Sequence, residues 1–291
     1  MKPAPFRFSR PEAAEEAVDV LRQHGWEAKV VAGGQSLVPL LNMRLTAPSV
    51  LVDINRVRDL DRITTTGGWL EFGALVRQRR LEDDPRVAAG CPLLAEAARW
   101  IGHPATRNRG TVVGSIVHAD PAAELPLLLV TLGGELVARG PGGMRTIPAE
   151  ELYLTMLTTS LAPDELAVAV RFPLMAPGTL YAFEEFAHRH GDFALVAVAV
   201  VLRPGADGRL AEARIGIGGA AEVPYRAREA EAALLASDAV DKAIDEAARL
   251  AAEQVQPPDD VHASGEYRRH LVRVLTRRAL YKALAGVSQD V

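Results

Sequence analysis

Two short glycine loops carry the residues best suited to hold a small anion. The first loop, 31–37, reads Val-Ala-Gly-Gly-Gln-Ser-Leu and follows an apolar segment, 29–32, that is typical of a buried strand. Paired glycines such as Gly33 and Gly34 can adopt positive φ, and successive backbone N–H groups in such a turn form a nest for an anion. Ser36 adds a hydroxyl donor. A tight turn between a strand and a helix explains the same residues equally well.

The second loop, 110–115, reads Gly-Thr-Val-Val-Gly-Ser and offers the hydroxyls of Thr111 and Ser115. Arg107 and Arg109 stand just before it. An anion site fits this loop, and so does a simple turn. Two such loops from different parts of a chain can clamp one diphosphate in a cleft between subdomains, where cofactor sites tend to lie.

Neither loop has the pattern of the common nucleotide-binding motifs. No G-x-G-x-x-G opens a helix after a strand, and the nearest approach, Gly-Ile-Gly-Gly at 216–219, lacks the third glycine. No Walker A sequence is present, so nucleotide hydrolysis has no support.

The remaining polar clusters favour structural roles. The segment 188–190, His-Arg-His, can supply half a metal site but is more typical of a solvent-facing loop. His118 and Asp120 have no accompanying nucleophile motif. Cys91 precedes a proline at a helix start, where thiolate character can rise, but a buried structural cysteine is favoured. We therefore predict no catalytic residue and no metal site in this chain.

Charge and cysteine content exclude several classes of protein. The formal net charge of −4 argues against a general nucleic-acid-binding protein. The single cysteine permits neither an internal disulfide nor an iron–sulfur cluster held by this chain alone. The longest apolar runs, 125–132 and 193–202, are too short to span a bilayer, and no secretory leader is evident. These features predict a cytoplasmic protein.

The hydrophobic periodicity predicts an α+β chain that positions the two loops. A helix is predicted over 9–25, with Ser9 as its cap, Glu12 completing a capping box and Gly25 as its stop. Further helices are predicted at 76–84, 92–101, 121–132, 227–236, 238–253 and 264–285. Strands are predicted at 29–32, 50–54, 69–75, 136–138, 145–147, 165–172, 194–202 and 210–216, the last two forming a hairpin around a turn at 204–208.

Changes in pattern divide the chain into three parts, 1–54, 55–176 and 177–291. The last predicted helix has a basic face that can either dock an acidic partner or remain a solvated surface. Its basic residues are Arg268, Arg269, Arg273, Arg277, Arg278 and Lys282.

Several segments, in order along the chain, resemble the flavin subunits of molybdenum hydroxylases, the xanthine and carbon monoxide dehydrogenase family. The matching segments are 32–37, 107–115, 118–126, 161–165, 189–194 and 267–271. Each segment alone is moderately specific. The set in this order spans nearly the whole chain and is strongly specific for the family.

The resemblance implies a two-subdomain FAD-binding fold of the vanillyl-alcohol-oxidase (PCMH) type, followed by a C-terminal α/β domain with a small antiparallel sheet and helices. It places the FAD diphosphate and ribityl chain at 32–36 and 111–115, the adenosine ribose near Glu124, and the isoalloxazine beside Leu161 and Phe193. The implied cofactor-binding residues are Lys29, Ala32, Gly33, Gly34, Gln35, Ser36, Leu37, Thr111, Gly114, Ser115, Asp120, Glu124, Leu161 and Phe193.

The chain departs from the family pattern at four places. Val113 replaces a glycine of the second loop, and a β-branched residue there is costly if the position needs positive φ. Glu124 replaces an aspartate, and Phe193 stands where some relatives have tyrosine. Glu184 and His188 stand where relatives that use NAD have lysine and arginine, which argues against NAD as acceptor.

The implied function is electron transfer within a complex. FAD in this chain would pass electrons from an iron–sulfur small subunit to an external acceptor, while a molybdenum large subunit performs the oxidation. The resemblance suggests a dimer of three-subunit units. The alternatives are a stand-alone FAD-dependent oxidase and, because of Val113, a scaffold that has lost FAD.

Overall fold

The computed structural model describes residues 2–206, 209–237 and 240–286. Its strands are β1 (Arg7–Ser9), β2 (Ala28–Val31), β3 (Val50–Asp53), β4 (Ile63–Thr66), β5 (Trp69–Gly73), β6 (Glu135–Gly140), β7 (Gly143–Pro148), β8 (Tyr153–Thr155), β9 (Thr158–Thr159), β10 (Leu166–Pro173), β11 (Leu180–Phe186), β12 (Val196–Pro204), β13 (Leu210–Gly218) and β14 (Tyr225–Arg226). Its helices are α1 (Ala14–His24), α2 (Leu37–Met43), α3 (Arg80–Asp83), α4 (Pro85–Gly90), α5 (Pro92–Ala98), α6 (Pro104–Arg107), α7 (Val112–His118), α8 (Glu124–Leu132), α9 (Ala149–Leu152), α10 (Arg228–Ala236), α11 (Val240–Glu253) and α12 (Gly265–Ala285). The predicted turn at 204–208 and the predicted start of a helix at 238 lie partly outside the described residues.

A small parallel sheet delivers the first loop. Its strand order is β1-β3-β2, with Val50 of β3 opposite both Arg7 and Ala28. Helix α1 covers the sheet with an apolar face that includes Val18 and Leu21. The first loop follows β2, and a short 3-10 turn at Ile54–Arg56 follows β3, so both lie at the carboxyl edge of the sheet. Ligands bind at this edge in open parallel sheets.

A five-stranded antiparallel sheet, ordered β4-β5-β10-β6-β7, forms the second layer. Phe72 of β5 and Phe172 of β10 pack edge to face in its core, with ring centroids 5.9 Å apart. Helix α7, which carries the second loop, packs against β10 and α8.

The C-terminal sheet, ordered β11-β12-β13-β14, is buried on both faces. Along β12, Ala197, Ala199 and Val201 face the core shared with the rest of the chain, while Val198 and Val200 face the core under α10, α11 and α12. Double burial explains why this strand reads as an unbroken apolar run. Gly216 leaves room for α8, because a Cβ there would overlap the Thr131 hydroxyl.

The predicted capping box at Ser9 and Glu12 is wrong. Ser9 ends β1, where it pairs with Val52, and α1 begins only at Ala14. The backbone N–H of Glu12 instead donates to the Glu16 carboxylate at 2.9 Å. The predicted stop at Gly25 is confirmed, since Gly25 caps α1 with φ 52°.

The predicted helix over 76–84 is confirmed only at its end, as α3. Its first part instead pairs with the second loop. The backbone N–H of Gln78 donates to the Gly110 carbonyl, and the N–H of Val112 donates to the Val76 carbonyl, both at 2.9 Å. This pairing is a long-range contact that the local periodicity does not show.

The basic face of α12 is largely occupied within the chain. Arg268 is buried and donates to the carbonyls of Leu195 and Gly219 and to Asp260. Arg277 forms an ion pair with Asp245, and Arg278 forms one with Glu184. Lys282 pairs with both Glu96 and Glu184. Each of these four basic side chains is therefore paired with a group of the same chain.

The three C-terminal helices and the β12–β13 hairpin are confirmed, although β1, β4, β8, β9, β11 and β14 were not predicted. The three larger sheets occupy 7–53, 63–173 and 180–226. The predicted boundaries near 54 and 176 fall between these sheets and stay predictions. No helix in the described ranges is long and apolar enough to cross a bilayer.

Candidate cofactor site

The first loop presents a run of backbone donors without partners. Gly34 has φ 70°, as expected for a glycine turn after β2. Within the described residues, the N–H groups of Gly33, Gly34, Gln35 and Ser36 donate no hydrogen bond. The Ser36 side chain does not cap α2 either. Successive backbone N–H groups without partners, just before a helix, are a suitable nest for an anion.

The second loop is the start of a helix rather than a free turn. Thr111 is the N-cap of α7, and its Oγ1 accepts from the Gly114 N–H at 3.0 Å. This bond does not use the Thr111 hydroxyl proton, which stays available to donate from a side chain that is 2% exposed. Ser115 is half-buried one turn into α7, and its N–H donates to the Thr111 carbonyl. The predicted glycine-rich turn is thus corrected to an N-cap.

The two loops meet backbone to backbone. A Cβ built on Gly33 would overlap the carbonyl oxygen of Arg109 and lie 2.8 Å from the Cα of Gly110. A Cβ on Gly110 would instead lie 2.5 Å from the Gln78 Oε1. No side chain fits at Gly33, so the first loop rests directly on the backbone that begins the second loop.

Val113 is not strained. It lies in α7, it is 2% exposed, and it is absent from the residues with positive φ in the described chain. The expectation of a costly valine in a left-handed position is therefore wrong. Val113 packs in the core as an ordinary helical residue.

Asn55 and Arg77 join the two loops, and neither residue was predicted. The Asn55 amide donates to the carbonyl of Ala32, and Arg77 donates to the carbonyl of Arg109. Asn55 lies two residues after β3, at the carboxyl edge where ligands bind, and that position was a usable signal. Nothing in the sequence around Arg77 indicated that it would lie at the site.

The other predicted residues of the first part lie around this loop. Ala32 packs against the core, and Leu37 begins α2. Gln35 is exposed, and its amide donates to the Gly33 carbonyl at 3.2 Å. Lys29 is exposed on β2 with its Nζ 5.9 Å from the Trp26 ring centre.

Leu161 and Phe193 lie on segments that border α7 and the approach to the second loop. The β8–β9 hairpin before Leu161 docks on the end of α7, where the N–H of Leu157 donates to the Ala119 carbonyl at 2.9 Å. The segment of Phe193 lies against the turn at 100–103, and the His190 and Trp100 rings are 5.9 Å apart. Phe193 is 73% exposed, so its ring presents an open face.

Glu124 lies deeper than a surface ligand would. It begins α8 and is 7% exposed, and burial raises its pKa. Glu185 of β11 is also buried, and its Oε2 has no partner among the described residues. Burial and the neighbouring Glu124 raise the pKa of Glu185. The nearby Asp120 is half-buried and accepts from the Ala122 N–H at 2.9 Å.

The remaining candidate residues form neither a reactive thiol nor a metal site in the described part of the chain. Cys91 is fully buried, and burial raises its pKa to about 12, which confirms the structural reading of this thiol. His188 and His190 are exposed. No group of three possible metal ligands occurs in the described part of the chain. Burial lowers the pKa of His118, and Asp120 partly offsets that effect.

Comparison with known proteins decides the family. Residues 4–175 match the family described as FAD binding domain in molybdopterin dehydrogenase, and residues 181–283 match CO dehydrogenase flavoprotein C-terminal domain. The chain belongs to the flavoprotein subunits of the molybdenum-containing dehydrogenases. The predicted family, FAD cofactor, oxidoreductase class and fold are thereby confirmed.

Individual flavoprotein subunits match along their whole length. The 6-hydroxypseudooxynicotine dehydrogenase complex subunit alpha of Paenarthrobacter nicotinovorans is 41% identical, over 98% of this chain and 96% of that protein. The carbon monoxide dehydrogenase medium chain of Hydrogenophaga pseudoflava is 35% identical, over 98% and 99%. A solved structure of carbon monoxide dehydrogenase from Hydrogenophaga pseudoflava superposes with a TM-score of 0.95 at 37% identity, covering 98% of this chain and 99% of that one.

We expect Val113→Gly to weaken the fold without improving cofactor binding. The change removes a buried side chain and adds a flexible residue inside α7, which costs about 2–4 kcal/mol of unfolding free energy. Chemical denaturation measures the loss, and titration with FAD measures affinity. Tighter FAD binding by the glycine variant would contradict the helical role of Val113.

We expect Glu185→Gln to stabilise the chain at neutral and alkaline pH. Because the folded-state pKa of Glu185 lies above its unfolded value, its contribution to stability is complete in acid and is lost as pH rises through the raised pKa. The variant should gain about 1–3 kcal/mol near pH 8 and nothing near pH 4.

Thermal or chemical unfolding across this pH range measures the gain. Glu184→Gln is the matched control, since Glu184 is ion-paired with Arg278 and Lys282 and should only lose stability. Equal stability of wild type and Glu185→Gln at every pH would refute the buried-carboxyl account.

Proposed function

We propose that this chain holds FAD across its two glycine loops and serves as the electron exit of a molybdenum dehydrogenase complex. The observation that carries the proposal is the run of unpaired N–H groups at 33–36, which meets the capped start of α7 with no side chain between them. These donors fit an anionic diphosphate, which needs hydrogen bonds from several directions at once.

The residues of this site have separable roles in the proposal. The N–H groups of the first loop and the Ser36 hydroxyl bind the diphosphate, and Thr111 donates its free hydroxyl proton from the second loop. Ser115 adds a hydroxyl one turn further along α7. The exposed ring of Phe193, together with Leu161, flanks the flavin ring.

The remaining candidates serve the far end of the cofactor and its approach. We assign Asp120 and Glu124 to the adenosine ribose and Lys29 to the lining of the cofactor site. When bound, FAD supplies the redox chemistry, because it can accept electrons one at a time and pass them on. The chain itself positions the cofactor and contributes no general acid or base.

The cysteine content supports iron–sulfur clusters on a partner subunit rather than on this chain. Iron–sulfur clusters are held by several thiolates, and this chain has one cysteine, which is buried. We therefore propose an iron–sulfur small subunit and a molybdenum large subunit as partners, assembled as a dimer of three-subunit units in the cytoplasm. The relatives support this, because they are subunits or chains of larger enzymes.

The relatives also support a division of labour in which this chain does not choose the substrate. The nicotine 6-hydroxylase medium subunit of Paenarthrobacter nicotinovorans is 39% identical, and the carbon monoxide dehydrogenase medium chain is 35% identical. Relatives that resemble this chain to a similar degree thus belong to enzymes named for chemically unrelated substrates, nicotine and carbon monoxide. Substrate choice then belongs to the molybdenum subunit.

Electron transfer from reduced clusters tests the proposal. The iron–sulfur subunit, isolated from the complex, is reduced with dithionite, desalted and mixed without oxygen with the FAD-loaded chain. We expect the flavin absorbance to fall as the cluster absorbance returns, because FAD is the acceptor.

The matched control is the same chain stripped of FAD, with which the clusters should stay reduced. Clusters that stay reduced with the FAD-loaded chain would contradict the proposal. Oxygen-dependent turnover of a small alcohol or amine by the chain alone would favour a stand-alone oxidase instead.

A further inference from the structure

Asn55 and Arg77 form a continuous hydrogen-bonded link between the two loops, which we call the Asn55–Arg77 strut. We propose that this strut is the positioning device that sets the separation of the two glycine loops and thereby the affinity for FAD. The inference rests on the proposed function, because it concerns the same site.

The strut consists of three hydrogen bonds that run from one loop to the other. The Asn55 Nδ2 donates to the Ala32 carbonyl at 2.8 Å. The Asn55 Oδ1 accepts from Arg77 Nη2 at 2.7 Å, and Arg77 Nη1 donates to the Arg109 carbonyl at 2.6 Å. The strut reaches each end through a backbone carbonyl, so it uses none of the unpaired N–H groups at 33–36 of the first loop.

Both ends of the strut are anchored in the fold. The Asp53 carboxylate accepts from the backbone N–H of Asn55 at 3.0 Å and from its amide at 2.6 Å, which fixes the direction of that amide. Arg10 donates to the other carboxylate oxygen of Asp53. At the far end, Arg77 and Thr111 pair as an isolated β-bridge.

The planar guanidinium is suited to this place. Its two terminal nitrogens bond two acceptors in a fixed fork, which a lysine ammonium on a flexible stem does not reproduce. Burial, and then the neighbouring Arg109 charge, lower the pKa of Arg77. Two like charges at the junction of the loops raise the local positive potential, which favours an anion there.

The contact between Gly33 and the Arg109 carbonyl sets a lower limit on the distance between the two loops. The loops already touch, so they cannot move closer, and the strut prevents them from moving apart. A diphosphate bound by donors from both loops needs that spacing fixed beforehand. Preorganisation of this kind raises affinity by avoiding the entropy cost of ordering the loops on binding.

Variants of the strut provide the test on the full chain. Asn55→Ala removes the link to Ala32, and Arg77→Lys keeps the charge but loses the fork. Each should raise the FAD dissociation constant, measured by flavin fluorescence, by about tenfold or more. The double variant should lose little beyond either single variant, because both changes break the same link.

Arg79→Gln is the matched control. Arg79 neighbours the strut but pairs with Glu82 and Asp83, so its loss should leave FAD affinity unchanged. Amide hydrogen exchange of the FAD-free chain gives a second readout. The peptide covering 109–115, several of whose N–H groups are hydrogen-bonded, should exchange faster in Asn55→Ala and not in the control.

The two proposals fail in different ways. A folded wild-type chain that binds no FAD, both alone and within its whole complex, would overturn the proposed function, and loop exchange would still decide whether the strut holds the loops. If Asn55→Ala and Arg77→Lys both bind FAD and exchange their loop amides as the wild type does, the proposed role of the strut is overturned. Normal affinity in Arg77→Lys with weak binding in Arg77→Gln would show that Arg77 acts through charge alone, which also overturns it.

Discussion

The backbone contact between Gly33 and the Arg109–Gly110 peptide is the constraint on which the rest of the site depends. Two segments so far apart in the chain can touch in this way only because Gly33 has no side chain and both segments are held from behind. The parallel sheet holds the first loop at the carboxyl edge of β2. The pairing of Gln78 with Gly110 and of Val76 with Val112 holds the second.

The site combines rigid support with unsatisfied donors. The residues at 33–36 are half-exposed or exposed, so their N–H groups are open to solvent and the surroundings must hold the shape of the loop. Here α7 rests on a core that includes Val113 and Ile116, and the core continues through α8 to the doubly buried strand β12. The C-terminal domain thus supports the half of the molecule that carries the loops.

Sequence reasoning succeeded where the signal was local or buried. The paired glycines indicated the turn at Gly34, and the apolar run at β12 indicated a buried strand. It failed at Ser9, because pairing of β1 with β3 overrides a local capping pattern. It also misjudged Val113, whose backbone conformation depends on α7, and it missed the strut, whose residues are 22 positions apart and meet only in the folded chain.

The most direct test of the account is the FAD content of the purified chain. The chain is incubated with FAD and desalted, its visible absorption spectrum is recorded, and the flavin released by denaturation is counted per chain. If the two glycine loops bind FAD, the desalted chain should show flavin absorption bands and contain one FAD per chain. A folded chain that retains no flavin, both alone and within its whole complex, would contradict it.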